Sequence, residues 1–408
     1  MRRLVACILG AASLAAASDR AGAEPRPAHL RPELRTDEGG LWSAMDRAET
    51  EAKASADLDP DPAINAYVRG LVRKLAPDYS DDLRVYVMDR PFFNADMAPN
   101  GWAEVWSGLL LRVESEDQLA FVLGHEVTHF AENHSIKAWR SLKSRANTAA
   151  VFTVILAGGA NVGAAAAGGS YGYYQASTLG GAIYLVALSG YFSFAREEEA
   201  QADELGLKRA IAAGYAPTAG AQVWRNLNAE IASSDFPKVR AKEASAGIFD
   251  THPLTADRIG ALDALAANAP GGRAAEDRKA YRAVIRPHLV AWLKDDLRRR
   301  DFGESLALID RLSTEGEDLG ALQYCRAEAF RLRRGDGDMV RARDAYAKAV
   351  SYDDAPVDAW RALGDAAAQT SDRATASRAY QAYLERAPNA QDRWIIEASL
   401  KKLEGVGS

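Results

Sequence analysis

Between residues 115 and 130 the apolar positions Leu119, Val122, Leu123, Val127 and Phe130 recur every three or four residues, the spacing of one helix face. Ser115 and Gln118 stand at capping-box spacing where this helix would start, and Arg140, Lys143 and Arg145 lie toward its other end, where cations are favoured. Upstream, Asp61-Pro62 opens a helix carrying Ile64, Tyr67, Val68, Leu71 and Leu75, and Pro77 follows its end. Residues 83–88 alternate as a strand, Pro99-Asn100-Gly101 signals a turn, and residues 103–106 suit a second strand. Farther on, Glu197-Glu198-Glu199 opens a helix on which Glu199, Ala202, Asp203, Gly206 and Ala210 share a face. The small residues there admit another helix at close range, and Gly214 and Pro217 mark the end. Residues 231–250 read as a loop.

The C-terminal third is Ala-rich and helical, and it repeats. Trp360, Leu363, Gly364, Ala376, Tyr380 and Pro388 fall at tetratricopeptide positions, and Ala342 and Tyr346 precede Ala376 and Tyr380 by 34 residues. Residues 278–313 suit a third, weaker helical pair. Residues 148–195 carry no charge and hold Gly158-Gly159, Gly168-Gly169 and a run of alanines. Two readings compete for this stretch. One is a pair of membrane helices; the other, favoured because the glycines weaken a helix, is an apolar hairpin that packs on its own domain or touches a membrane surface. The resulting division is 1–23 signal peptide, 24–58 tether with room for one helix, 59–268 main domain, 269–276 linker at Ala269-Pro270-Gly271-Gly272, and 277–408 helical repeats.

The chain has 408 residues and a net charge of −6, and no long basic block. That argues against nucleic acid as a partner. Arg2 and Arg3, the short apolar core after them and Ala21-Gly22-Ala23 read as a secretory signal. Its removal takes away Cys7 and leaves Cys325 alone, most simply a small apolar core residue.

The candidate chemistry lies in the first helix. Residues 125–129 read His-Glu-x-x-His. On a helix, His125 and His129 lie one turn apart on one face and can share a metal ion, with Glu126 placed as base rather than ligand. Imidazole ligands with an open position suit catalytic Zn²⁺, and a carboxylate from a later helix is the gluzincin answer to the need for a third ligand. Glu199 is the candidate, with Asp203 one turn on to accept a proton from a ligating histidine. His134, nine residues after His125, falls on a different face and reads as structural.

The residues 123–129, His134, Phe194-Ala195-Arg196-x-x-Glu199-x-x-Ala202-Asp203-x-x-Gly206 and Thr251-His252-Pro253-x-x-x-x-Arg258-Ile259 resemble the HtpX-like, CAAX-prenyl-endopeptidase family of zinc metallopeptidases. With a signal and repeats, the layout is similar to the periplasmic, beta-barrel assembly-enhancing branch of that family. The resemblance implies a mainly α fold: a zincin-type (gluzincin) metalloprotease domain with a small β-sheet, then an α-helical TPR-like repeat domain. It implies His125, His129 and Glu199 as Zn²⁺ ligands, Glu126 as catalytic base, and an edge strand near residues 94–101, where Asp96 stands in place of the usual apolar residue. It also implies a second catalytic-site candidate, His252, as an inhibitory zinc ligand; from the residues alone a loop-capping role is equally open, and His252 and Arg196 are both candidates for stabilising the oxyanion.

The expected function is a zinc-dependent metalloendopeptidase of the periplasm acting on misfolded or stalled envelope proteins. Its partners would be protein or peptide substrates and envelope assembly machinery held by the repeats, with peripheral membrane contact. A chaperone or assembly scaffold with a mostly latent zinc site, and an integral-membrane protease using residues 148–195, are the alternatives.

Overall fold

A computed structural model describes residues 25–145, 194–241, 256–269 and 276–405. The signal, most of the apolar 148–195 stretch, residues 270–275 of the linker and His252 lie outside the described residues. Among the described residues no helix is long and apolar enough to cross a membrane.

The domain around the expected metal helix is built on a small sheet. Strands β1 (Arg84–Met88), β2 (Ala95–Met97) and β3 (Trp102–Trp106) run in the order β1-β3-β2. β3 is parallel to β1 and antiparallel to β2, with Asp96 opposite Glu104. The tight turn between β2 and β3 needs Gly101, whose φ is +83° and whose amide donates to the Ala98 carbonyl at 2.9 Å. β2 is therefore an edge strand within the described sheet, as expected for this segment.

One sheet face, through Val85, Val87, Ala95, Met97, Ala103 and Val105, joins the main core. Helix α2 (Pro62–Leu75) packs there; Asp61 caps it by accepting from the Ala63 amide, and Pro62 starts it without losing a needed N–H. The opposite face is covered by α1 (Asp37–Lys53), whose Leu41, Met45 and Ala48 cluster with Trp102, Ile136 and Trp139. The stretch expected as a tether thus carries one helix, with an apolar stripe that gives it a seat on the sheet.

After α3 (Ser107–Arg112) comes the metal-motif helix α4 (Glu116–Ala131). Ser115 caps it by accepting from the Gln118 amide, while the Gln118 side chain accepts from Glu114 one residue before the usual box position. The helix does not continue to the basic residues, contrary to the sequence pattern. Asn133 adopts φ +57°, and a separate helix α5 (His134–Arg145) carries Arg140, Lys143 and Arg145. Helices α6 (Arg196–Ala212), α7 (Ala219–Ala232), α8 (Pro237–Ala241) and α9 (Ala256–Ala267) complete the described part of this domain. Helices α7 and α8, with the short link between them, account for residues 219–241, so residues 231–241 are not a plain loop.

The C-terminal helices follow in sequence: α10 (Arg278–Ile285), α11 (Leu289–Arg298), α12 (Phe302–Leu312), α13 (Leu319–Arg333), α14 (Asp338–Ala349), α15 (Asp358–Gln369), α16 (Arg373–Arg386) and α17 (Arg393–Glu404). From α11 onward each packs on its neighbour. Gly364 leaves room for the Tyr380 ring, since a Cβ there would meet it at 2.4 Å. Cys325 is buried in this core, and burial pushes its thiol up. The array is joined to the metal-helix domain by one continuous core. The Tyr281 hydroxyl donates to the Leu110 carbonyl at 2.6 Å, and Trp292 Nε1 donates to Asp89 at 2.9 Å. Arg112, fully enclosed, spans Glu230 at 2.7 Å and Asp296 at 2.6 Å.

Candidate metal centre

The site is set by the crossing of α4 over α6. Their backbones meet at Gly124 and Gly206: a Cβ on Gly206 would lie 2.6 Å from the His125 amide nitrogen, and one on Gly124 would lie 2.7 Å from the Gly206 carbonyl oxygen. This approach is possible only without side chains, and it brings Glu199 and Asp203 of α6 against the histidines of α4. Ala202, Asp203, Gly206 and Ala210 are buried along that face, as their spacing predicts. Arg196 and Glu197 point to solvent at the start of α6, which leaves Arg196 outside the cluster.

His125 and His129, four residues apart on α4, turn their Nε2 atoms toward each other at 3.0 Å. Glu199 presents its two carboxylate oxygens to those nitrogens, at 3.6 Å from His125 and 3.5 Å from His129. The three ligand atoms lie within 4.8 Å of one another, and all three residues are buried. Two imidazole nitrogens and one carboxylate converging on a point are a donor set that fits zinc with a position to spare.

The outer atoms are also engaged. His125 Nδ1 lies 3.0 Å from Asp203 Oδ1. Asp203 in turn accepts two hydrogen bonds from Arg258, at 2.7 and 2.8 Å, and the Arg258 Nη1 reaches Glu199 at 2.9 Å. Burial alone would raise the Asp203 carboxyl, but the bonds from Arg258 and His125 outweigh it and hold it at about 2. Asp203 is therefore a carboxylate that accepts from His125 and leaves the Nε2 lone pair free for a metal. Phe194 stacks on the His129 ring at 3.9 Å. Glu126 is buried beside this cluster; burial, then Asp96 and Glu199, push its carboxyl well above the usual range, against the pull of Arg258.

Two placements were not legible in the chain. Arg258 is one letter of a sequence pattern, yet from α9 it reaches both Asp203 and Glu199 on α6. His134, expected on another face of a continued helix, returns to the site because the chain turns at Asn133. Its Nδ1 lies 3.0 Å from His129 Nδ1, and burial lowers it to about 4. No local signal marks either contact, apart from the helix-breaking potential of Asn133. His252 lies outside the described residues.

The arrangement can hold one zinc ion and place a carboxyl beside it, the parts needed for hydrolysis of an amide. Comparison with known proteins gives the same direction. A beta-barrel assembly-enhancing protease of Yersinia pestis is 29% identical over 214 residues, 49% of this chain and 42% of its own. The protein of the same name in Escherichia coli K12 is 24% identical over 216 residues, 51% of this chain and 40% of its own. The mitochondrial metalloendopeptidase OMA1 of Schizosaccharomyces pombe is 28% identical over 195 residues, 47% of this chain and 49% of its own. The chain spans less than half the length of each of these relatives. The family model of peptidase family M48 matches residues 59–266, which contain the α4–α6 crossing and every side chain placed at the cluster. The chain belongs to peptidase family M48, whose metallopeptidases are zinc-dependent.

Proposed function

We propose that His125, His129 and Glu199 hold the zinc, that Asp203 orients His125, and that Glu126 is the base of an endopeptidase acting on misfolded or stalled proteins of the cell envelope. The convergence of two Nε2 atoms and the Glu199 carboxylate carries this reading. Zinc, when bound, supplies Lewis-acid polarisation of a peptide carbonyl and acidifies water. Glu126, one residue along the same helix from His125, takes a proton from the attacking water and returns it to the leaving amine. The edge strand β2 lies against α4 and supports substrate binding in extended form beside the site. The division at residues 269–276 and the use of the later helices as TPR-like repeats that recruit substrate or partner belong to this proposal, as does a periplasmic location reached through the signal at residues 1–23. The names of the assembly-enhancing relatives support the envelope setting.

The test is zinc analysis paired with casein cleavage. Glu126→Gln should keep one zinc per chain while losing activity by roughly 10²–10⁴-fold, the usual contribution of general base catalysis. His125→Ala and Glu199→Gln should lose metal. Cleavage by Glu126→Gln at the wild-type rate would remove the base from the scheme.

The burial of the cluster favours a second reading, a mostly latent enzyme that also acts as a scaffold. His129 and Glu199 are only 1% and 3% exposed. In that reading His252 closes the site as a fourth ligand, and His252→Ala raises cleavage of an unfolded substrate with zinc retained. A large loss of activity in that variant would instead assign His252 to the oxyanion.

A further inference from the structure

His134, Gln201 and Glu132 form a buried chain of contacts that the proposed chemistry does not use. His134 Nδ1 faces His129 Nδ1 at 3.0 Å, and its Nε2 faces Gln201 Oε1 at 3.1 Å. The Gln201 Nε2 donates to Glu132 Oε2 at 3.0 Å. His134 is fully buried and Glu132 is nearly so, while Gln201 is half-buried.

The donor and acceptor capacities of these groups fix the protons along the chain. The Glu132 carboxylate only accepts, so the Gln201 amide turns its NH₂ toward it and its oxygen toward His134. An amide oxygen also only accepts, so the His134 proton sits on Nε2 and its Nδ1 carries a lone pair. A lone pair facing His129 Nδ1 places the proton of His129 on that nitrogen. The other nitrogen of His129, the Nε2 that lies 3.0 Å from His125 Nε2 and 3.5 Å from Glu199, is then the one with the free lone pair.

We propose that Glu132, Gln201 and His134 are positioning residues that set the tautomer and ring direction of His129, the counterpart of Asp203 acting on His125. The proposal rests on the reading of His129 as a zinc ligand. Carboxylates, carbonyls and waters are the usual outer partners of ligating histidines. A carboxylate touching His129 directly would add another negative charge to a buried site that already holds Glu126, Glu199 and Asp203, with Arg258 as the counter-charge at its centre. The neutral imidazole and amide transmit the same orientation and move the charge outward to Glu132. The chain turn at Asn133 makes this possible, because it brings His134 back over His129.

The experiment measures zinc affinity by chelator competition on the full chain, alongside thermal unfolding of the metal-free protein and the absorption spectrum of the cobalt-substituted form. His129→Ala tests the underlying reading: if it retains wild-type affinity, His129 is not a ligand and the failure lies there. With that established, His134→Phe should bind zinc about 10–100-fold more weakly and alter the cobalt spectrum. His134→Asn, whose Oδ1 takes the place of Nδ1 and accepts from His129, should recover most of the affinity and the wild-type spectrum. Gln201→Met, which does not touch His129, should weaken zinc by a smaller factor and serves if His134→Phe does not fold. Wild-type affinity in both His134→Phe and Gln201→Met, or an Asn variant as weak as the Phe variant, would overturn the relay.

Discussion

At the scale of single residues, Asp96 is a buried carboxyl at odds with its surroundings. It is buried on the edge strand, opposite Glu104, and accepts a hydrogen bond from Asn94. Arg90 is already paired with Glu104, at 2.6 Å. Burial, then the Glu104 charge, raise the Asp96 carboxyl to about 7, far above the unfolded value near 3.8. A raised carboxyl costs stability that accumulates as pH climbs from the unfolded to the folded value and is constant above it. Asp96→Asn should therefore be more stable than the wild type by a few kcal/mol at pH 8, with the margin shrinking by pH 5. Urea unfolding at the two pH values measures this; an equal margin at both would mean that Asp96 does not titrate with folding.

At the scale of elements, the metal cluster depends on how closely α4 and α6 approach. Gly206→Ala would drive a methyl into the His125 backbone. Separating the helices should cost about 1–3 kcal/mol, as overpacking does, and should weaken zinc binding by withdrawing Glu199 from the histidines. Gly70 on α2 is the control, because a Cβ there meets nothing within 4 Å. Gly70→Ala should leave zinc unchanged and be neutral or stabilising by about 0.5–1 kcal/mol. Zinc titration and unfolding of the two variants separate a site-specific effect from a generic loss of glycine. Unchanged zinc affinity in Gly206→Ala would show that the crossing has slack.

At the scale of the whole molecule, the C-terminal helices are clasped to the metal-helix domain by buried charge as well as by apolar packing. Asp296 on α11 pairs with Arg112 on α3, with Arg299, and with the Ser305 hydroxyl. Burial would raise its carboxyl, but the two guanidinium groups outweigh it and hold it at about 2. The sign is opposite to that of Asp96. Stability from Asp296 is fully present above the unfolded value near 3.8 and is lost as pH falls toward 2. Asp296→Asn should be less stable than the wild type by roughly 3–5 kcal/mol at pH 6, the cost of leaving Arg112 with one buried partner removed. The difference should narrow below pH 4. A pH-independent difference would place the effect in packing alone.

Some of this protein is decided by neighbours along the chain. The pairing of His125 with His129 follows from helix geometry, which places residues four apart on one face whatever surrounds them. The same rule puts Glu199 with Asp203 and Gly206, and Asp61-Pro62 and Pro77 bound α2 by local backbone constraints. These features, and with them the mainly helical class and the zinc chemistry, could be read from the residues because their causes lie within a few positions. The convergence of the two helices could be anticipated only as a possibility, since small residues permit close approach without naming a partner. The path of the chain decided the rest. The parallel pairing of β1 with β3, the seat of α1 on the sheet and the merging of the later helices into one core all join distant segments. Arg258 reaches Asp203 across 55 positions, and His134 meets Gln201 across 67. No period or spacing encodes such contacts. They depend on where the backbone turns, and a single left-handed residue, Asn133, brings His134 from the far side of a continuous helix onto His129.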